Sequence, residues 1–321
     1  MRFLKLRLVN FPQLRNFRRV ALDRVDTVLV HGGAGTIPES ISARKIEGVQ
    51  NAAHEAYISL KETGSALDAI ERAIKIMENN EVFNAGYGSY LNEEGNIEMS
   101  ASIIEGGELS AGACYILNDI KHPIALAKVI MMKTKHVLLT GHGAMQFAYE
   151  NGFQKLPAGM LVSPGAKQLW EKKKTSSIED GSDVGAIVLS KNGHLVAGVS
   201  AGGRNRRVPG ECNDGCYLGS GVYADNTAGA VCCTGDGTSL AKMCLAYAIT
   251  KNMITLPVME VIKLKLDILK KRLNQQAGVI TISKTGEIGV FFTTPNMVWA
   301  CQQGRNVRYG IKPGEVETMR L

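Results

Sequence analysis

Apolar residues along this chain recur at every second position in some stretches and at every third or fourth in others, and the alternation of the two periods lays out its elements. Residues 26–35, "DTVLVHGGAG", form an apolar strand running into a glycine-rich turn. Helical spacing follows over 42–62, with Ile46, Val49, Ala53, Ala56, Tyr57 and Leu60 on one face, and over 65–79, with Leu67, Ile70, Ile74 and Met77. Gly64 separates the two helices and Ser65 suits the cap of the second. Residues 83–106 predict a glycine turn and a hairpin that reverses at "NEEG"; a strand over 108–117 and a helix from Pro123 to Met132 come next. Residues 136–152 predict a short strand, a "GHG" turn and a helix ending at Gly152.

From 154 to 182 the period dissolves, and "EKKKTSSIEDGS" at 171–182 has the charge and serine content of a linker. Order returns at Val184. Strands are predicted over 184–190 and 194–200 around a "KNG" turn, then in "VYAD" and "AGAVCCTGDG", with helices from Thr238 to Asn252 and over 258–273. A hairpin over 278–294 closes the pattern. Hairpin-linked strands with paired helices between them imply an α+β fold, antiparallel sheets covered by helices on both faces. On this pattern residues 1–24 are a basic leader, and 25–170 and 183–321 are two halves of one globular domain joined by the linker. One residue breaks the pattern. Asp183 stands where the polar linker becomes an apolar strand, and strand interiors disfavour aspartate.

With 321 residues, 45% of them hydrophobic, the chain has material for a large core. Its formal charge of +7 is confined to one end: Arg2, Lys5, Arg7, Arg15, Arg18 and Arg19 lie in the first 22 residues with no acid, so 31 basic residues face 30 acidic ones elsewhere. A near-neutral body argues against nucleic acid as a partner. The acid-free, arginine-rich leader suits mitochondrial import, although Pro12, the lack of Ser and Thr, and the strand-like alternation of Leu4, Leu6 and Leu8 favour a cytoplasmic protein. No stretch is long and apolar enough for a membrane span. Seven cysteines, including Cys212 and Cys216 in a CxxxC and the adjacent Cys232 and Cys233, match neither a disulfide framework nor a zinc site and are expected as buried free thiols. His31, His142 and His194 are expected as turn or core residues, since no second ligand sits at metal spacing.

Five segments carry a resemblance: "HGGAG" at 31–35, "FNAGYGS" at 83–89, "VGAIVLSKNGHLVAGVSAGG" at 184–203, "YADNTAGAVCCTGDG" at 223–237 and "GVITISKTGEIG" at 278–289. In order and spacing they resemble the plant-type asparaginase and isoaspartyl peptidase family of N-terminal nucleophile hydrolases, relatives of aspartylglucosaminidase and taspase. The resemblance implies a four-layer αββα sandwich and a homodimer of the two-part unit, with residues 25–170 and 183–321 as α-subunit-like and β-subunit-like halves. It implies no cofactor beyond a structural sodium ion, held by the backbone of Met77, Glu78, Asn80, Phe83, Ala85 and Tyr87. Members cut themselves just before a threonine at the linker-to-strand junction, whose freed α-amine then serves as base for its own hydroxyl.

Several positions depart from that pattern. Asp183 occupies the nucleophile position and cannot perform the N-to-O acyl shift that frees an α-amine. Ala201 replaces the second threonine, which bonds the nucleophile, and Ser100 replaces a usual aspartate. Glu211 falls where an arginine clamps the substrate carboxylate, an anion in place of a fork of donors. Other matches survive: Asp214 for the substrate amine, Thr234, Gly235 and Gly237 for the oxyanion and substrate strand, and Asn84, Gly185, Gly202 and Gly203 around the site. The resemblance therefore implies an asparaginase-like protein without activity. Two alternatives stand beside it. One is an active amidohydrolase that cuts before Ser182, although a slip of one residue moves the hydroxyl by about 3.3 Å and onto the opposite strand face. The other is a non-catalytic binder of a small amino acid, amide or amine, with Glu211 facing Asp214 to favour a cation.

Overall fold

The computed structural model describes residues 24–172, 183–212 and 214–321. The leader, apart from Arg24, and the linker from 173 to 182, including Ser182, lie outside the described residues.

In chain order the elements are β1 (Thr27–Gly35), α1 (Glu39–Thr63), α2 (Ala66–Glu78), β2 (Met99–Glu105), β3 (Ala111–Leu117), α3 (Pro123–Lys133), β4 (Leu138–Thr140), α4 (Gly141–Glu150) and α5 (Pro164–Glu171). After the linker come β5 (Val184–Leu189), β6 (Leu195–Ala201), β7 (Val222–Asp225), β8 (Gly229–Gly235), α6 (Gly237–Met243), α7 (Leu245–Asn252), α8 (Val258–Leu273), β9 (Ala277–Ser283), β10 (Ile288–Phe292), β11 (Asn296–Gln303), β12 (Asn306–Gly310) and β13 (Glu317–Arg320). They build a nine-stranded sheet in the order β13-β12-β11-β1-β5-β6-β2-β3-β4 and a four-stranded sheet in the order β10-β9-β8-β7. Pairing is antiparallel except between β3 and β4.

Strand alternation creates the layers. Val28 and Val30 of β1 and Ala186 and Val188 of β5 pack with α1, α2 and α3 on one face of the large sheet. Leu29, Ile187 and Leu189 point the other way and meet Ala230, Cys232, Ile280 and Ile282 of the small sheet. Val231, Cys233 and Val279 face outward from the small sheet onto α6, α7 and α8. Helix, sheet, sheet and helix thus enclose three apolar seams, a four-layer αββα sandwich. Both sheets are buried on both faces, which explains why β5 is apolar at every position.

Several local expectations change. "HGGAG" is no turn: β1 continues through it, with a bulge between His31 and Ala34 and Gly33 at φ +100°, and pairs again with β11 at Ala34 and Gly35. "NEEG" reverses the chain between an isolated Leu91–Ile97 bridge, and β2 starts only at Met99. "GHG" forms the first turn of α4. The apparent single helix from Thr238 to Asn252 is broken at Cys244, whose φ of +44° is left-handed. The stretch from 154 contains α5, begun by the Ser163 hydroxyl accepting from the Ala166 amide at 3.1 Å and by Pro164 at the first helical position. The chain does not close with β9 and β10: β11 lies beside β1, with β12 and β13 beyond it.

Candidate active site

The register of the large sheet assembles the site. Val184 of β5 pairs with Ser200 of β6, so the preceding residue, Asp183, falls opposite Ala201. On its other edge β5 meets β1, where Gly185 pairs with His31, and Ala201 pairs in turn with Ser100 of β2. Gly185 is there for space. A β-carbon would run into the His31 ring and come within 3.0 Å of Cys232 Cβ. The sequence before and after the linker therefore meets at one end of four adjacent strands.

At that point two acids are buried side by side. Asp183 is 7% exposed and Asp214 2% exposed, and each carboxyl is near enough to shift the titration of the other. Neighbouring buried carboxyls resist carrying two charges at once. Burial pushes the Asp183 carboxyl up to about 7, against the opposing pull of Asp214 and the Arg207 guanidinium. Burial also holds Asp214 well above the usual carboxylate range, with the charges of Asp183 and Asp236 adding to it. Asp214 Oδ1 has no hydrogen-bond partner, and Asp214 Oδ2 lies so close to Gly221 that a β-carbon there would approach to 2.5 Å.

The surrounding turn is held by backbone contacts. The Asn84 side-chain amide donates to the Gly203 carbonyl at 2.8 Å, and the Asn84 carbonyl accepts from the Gly202 amide at 2.8 Å. Gly202 lies so close to Ser89 that an added β-carbon would come within 2.6 Å of its Cα, while Gly203, at φ +74°, turns the chain toward the buried Arg207. Arg207 donates to the carbonyls of Gly202 and Glu98 and pairs with the Glu98 carboxylate at 3.5 Å. Ser200 donates to Glu78 Oε1 at 2.7 Å, and Ser100 donates to the Ala201 carbonyl at 3.4 Å. His31 Nδ1 accepts from the Gly33 amide at 3.3 Å; burial pushes the ring down to about 3, so it is neutral at physiological pH.

Glu211 is not the bare anion expected at the clamp position. Arg204 Nε donates to its carboxylate at 2.9 Å and Arg204 Nη2 forms an ion pair with it, while the Tyr115 hydroxyl donates to its backbone carbonyl. A neutralised Glu211 removes the charge argument for a cationic ligand. Thr234 is buried in β8 opposite Gly278. Gly235 follows at φ +152°, and Asp236 caps α6 by accepting from the Ser239 amide at 3.0 Å, with Gly237 as the first helical residue. Gly235 and Asp236 border a pocket of about 330 Å³ that also touches Gly35, Gln276 and Thr294.

The loop from Met77 to Tyr87 can be tested against a sodium ion by its oxygens. Gly86 packs on the Glu78 carbonyl and Gly88 on the carbonyls of Phe83 and Glu81, so that a β-carbon at either glycine would strike them. The carbonyls of Asn80 and Ala85 accept the backbone amides of Phe83 and Gly88, and that of Met77 accepts those of Asn79 and Asn80. The Asn80 and Ala85 oxygens keep a second lone pair, and carbonyl oxygens suit a hard cation. Among the described residues no cluster of three or more His, Cys, Asp or Glu could hold a metal ion. Cys232 and Cys233 face opposite sides of β8. Cys114 and Cys301 are also buried, whereas Cys212 and Cys244 are exposed, contrary to the expectation of buried thiols throughout. His142 and His194 are exposed. Among the described residues no helix is long and apolar enough to cross a membrane.

Sequence inspection did not find Arg207, the neutral His31 beside β5, or the neighbouring of Asp183 and Asp214. Thirty residues lie between the two acids, and no local pattern announces that they meet. The comparisons agree with the architecture. The asparaginase family model matches residues 25–311. An isoaspartyl peptidase/L-asparaginase of Mus musculus is 39% identical over 315 residues, spanning 94% of this chain and 96% of its own length. Those of Homo sapiens and Xenopus laevis are 38% and 37% identical, each spanning 90% of this chain and 96% of their own. Likeness of that degree across nearly the whole length makes this chain a member of the asparaginase family, built on the N-terminal nucleophile hydrolase fold.

Proposed function

We propose that this chain is an asparaginase-fold protein that stays uncut and does not hydrolyse amides, and that its role is binding or assembly. The observation that carries the proposal is Asp183, whose carboxyl is buried beside Asp214 at the start of β5, where a threonine hydroxyl would have to stand. Cleavage and turnover in this class need a hydroxyl or thiol nucleophile with a base beside it. Asp183 offers neither a hydroxyl nor, without cleavage, a free α-amine. Ala201 across from it supplies a methyl group in place of a hydroxyl, and the Arg204–Glu211 pair leaves the carboxylate clamp without its guanidinium fork.

Assay of the purified protein with L-asparagine and with a β-aspartyl dipeptide tests the proposal. Ammonia or amino-acid release should not exceed that of the buffer. Turnover that disappears in Ser182→Ala would overturn it in favour of a serine nucleophile.

A further inference from the structure

The two sheets end unequally. Beyond β11 the large sheet carries β12 and β13, whereas the small sheet stops at β10. Along that edge the apolar seam between the sheets opens into a groove of about 220 Å³. Ile288, Val290 and Phe292, at alternate positions of β10, share one face and form one wall; Trp299 and Cys301 of β11 form the other. Phe292, Trp299 and Cys301 are buried, while Ile288 and Val290 are only partly covered. Burial pushes the Cys301 thiol up to about 11, so it adds no charge to the groove at neutral pH. The groove lies across β1 from the site at the head of β5 and shares no residue with it.

A positive charge stands on this apolar surface. β12 pairs Arg308 with Cys301, and cross-strand partners share a face of the sheet, so Arg308 lies on the seam side while its neighbour Val307 packs among the helices. Arg308 Nη2 donates to Gln303 Oε1 at 2.8 Å, a neutral acceptor, and among the described residues Arg308 makes no ion pair. The guanidinium keeps further donors, in the fork that fits a carboxylate. Lys312, exposed at the rim, adds a second positive charge. Glu315, the acid among the described lining residues, spends its Oε2 on the amides of Ile311 and Lys312, at 2.9 and 2.8 Å, within its own turn. The polar end of the groove is therefore net positive. We propose that this groove binds a small carboxylic acid with an aromatic body, the ring filling the seam between β10 and β11 and Arg308 holding the carboxylate. Phe292 and Trp299 offer the ring aromatic neighbours. The volume limits the ligand, since pockets for drug-sized molecules begin near ~300 Å³.

Titration of the full chain with phenylacetate, followed by tryptophan fluorescence and by thermal melts, tests the site. Phenylacetate should change the emission and raise the Tm. Phenethylamine, a ring with a cation, and acetate, a carboxylate without a ring, should do neither at the same concentration. Arg308→Gln should weaken phenylacetate binding by at least about tenfold. Trp299→Phe should keep the Tm rise and lose the emission change, which separates Trp299 from Trp170. No binding of phenylacetate at about millimolar concentration would overturn the site, as would equal binding of phenethylamine or undiminished binding by Arg308→Gln. Should Arg308→Gln fail to fold, the comparison of acid with amine on the wild type decides. No arm of the experiment reads amide hydrolysis, so its failure and that of the proposed function are separate results.

Discussion

Asp183 opens β5 as a buried carboxyl with a second acid, Asp214, beside it. A threonine at that position would present a hydroxyl and leave Asp214 buried without its acid partner. Restoring the hydroxyls in Asp183→Thr with Ala201→Thr should therefore give at most weak cleavage and little asparaginase turnover, read by electrophoresis of the purified double variant over days. Complete cleavage would show that these two hydroxyls alone had been missing. Adding Glu211→Arg should not rescue it, because the new guanidinium would face Arg204 in place of the present ion pair. At this scale the sequence was informative where chemistry is local. The linker-to-strand frame singled out Asp183, and the family resemblance singled out Ala201 and Glu211. Their surroundings have no such signal: Arg204, seven residues from Glu211, pairs with it across a loop, and Asp214 reaches Asp183 only through the fold.

Elements with a clear period and a cap were legible. For α2, Ser65 accepts from the Asp68 amide at 3.1 Å and Gly64 ends α1 at φ +69°, both as the sequence suggested. Elements that depend on tertiary support were not. The break between α6 and α7 is invisible to periodicity because Cys244 adopts a left-handed conformation with no glycine to mark it. That conformation costs a non-glycine residue on the order of 1 kcal/mol, so Cys244→Gly should raise stability by about that amount, measured as a higher urea midpoint with unchanged slope. An unchanged or lower midpoint would mean that the Cys244 side chain returns more than the backbone costs. The "HGGAG" segment was mistaken for a turn because its glycines serve a bulge. Gly32 lies so close to the Phe83 ring that any β-carbon would strike it, and Gly33 supplies the positive φ, while pairing with β11 resumes at Ala34.

For the molecule as a whole, the layered α+β architecture followed from hairpins alternating with helix pairs, and only its extent was underestimated. β11, β12 and β13 follow β10 without a helix between them, and β11 is buried beside β1 in the large sheet, so no compositional boundary announces it. The consequence is that β1 sits between a strand from the C-terminal end and β5, the first strand after the linker. Cutting at the junction before β5 would leave this interleaved sheet intact, as a two-chain member of the family requires, so the architecture permits cleavage and the chemistry at Asp183 decides it. The intact mass of the purified protein under denaturing conditions measures that decision directly. A single chain carrying both halves across the linker is the predicted result; two fragments that meet between 170 and 184 would contradict the account.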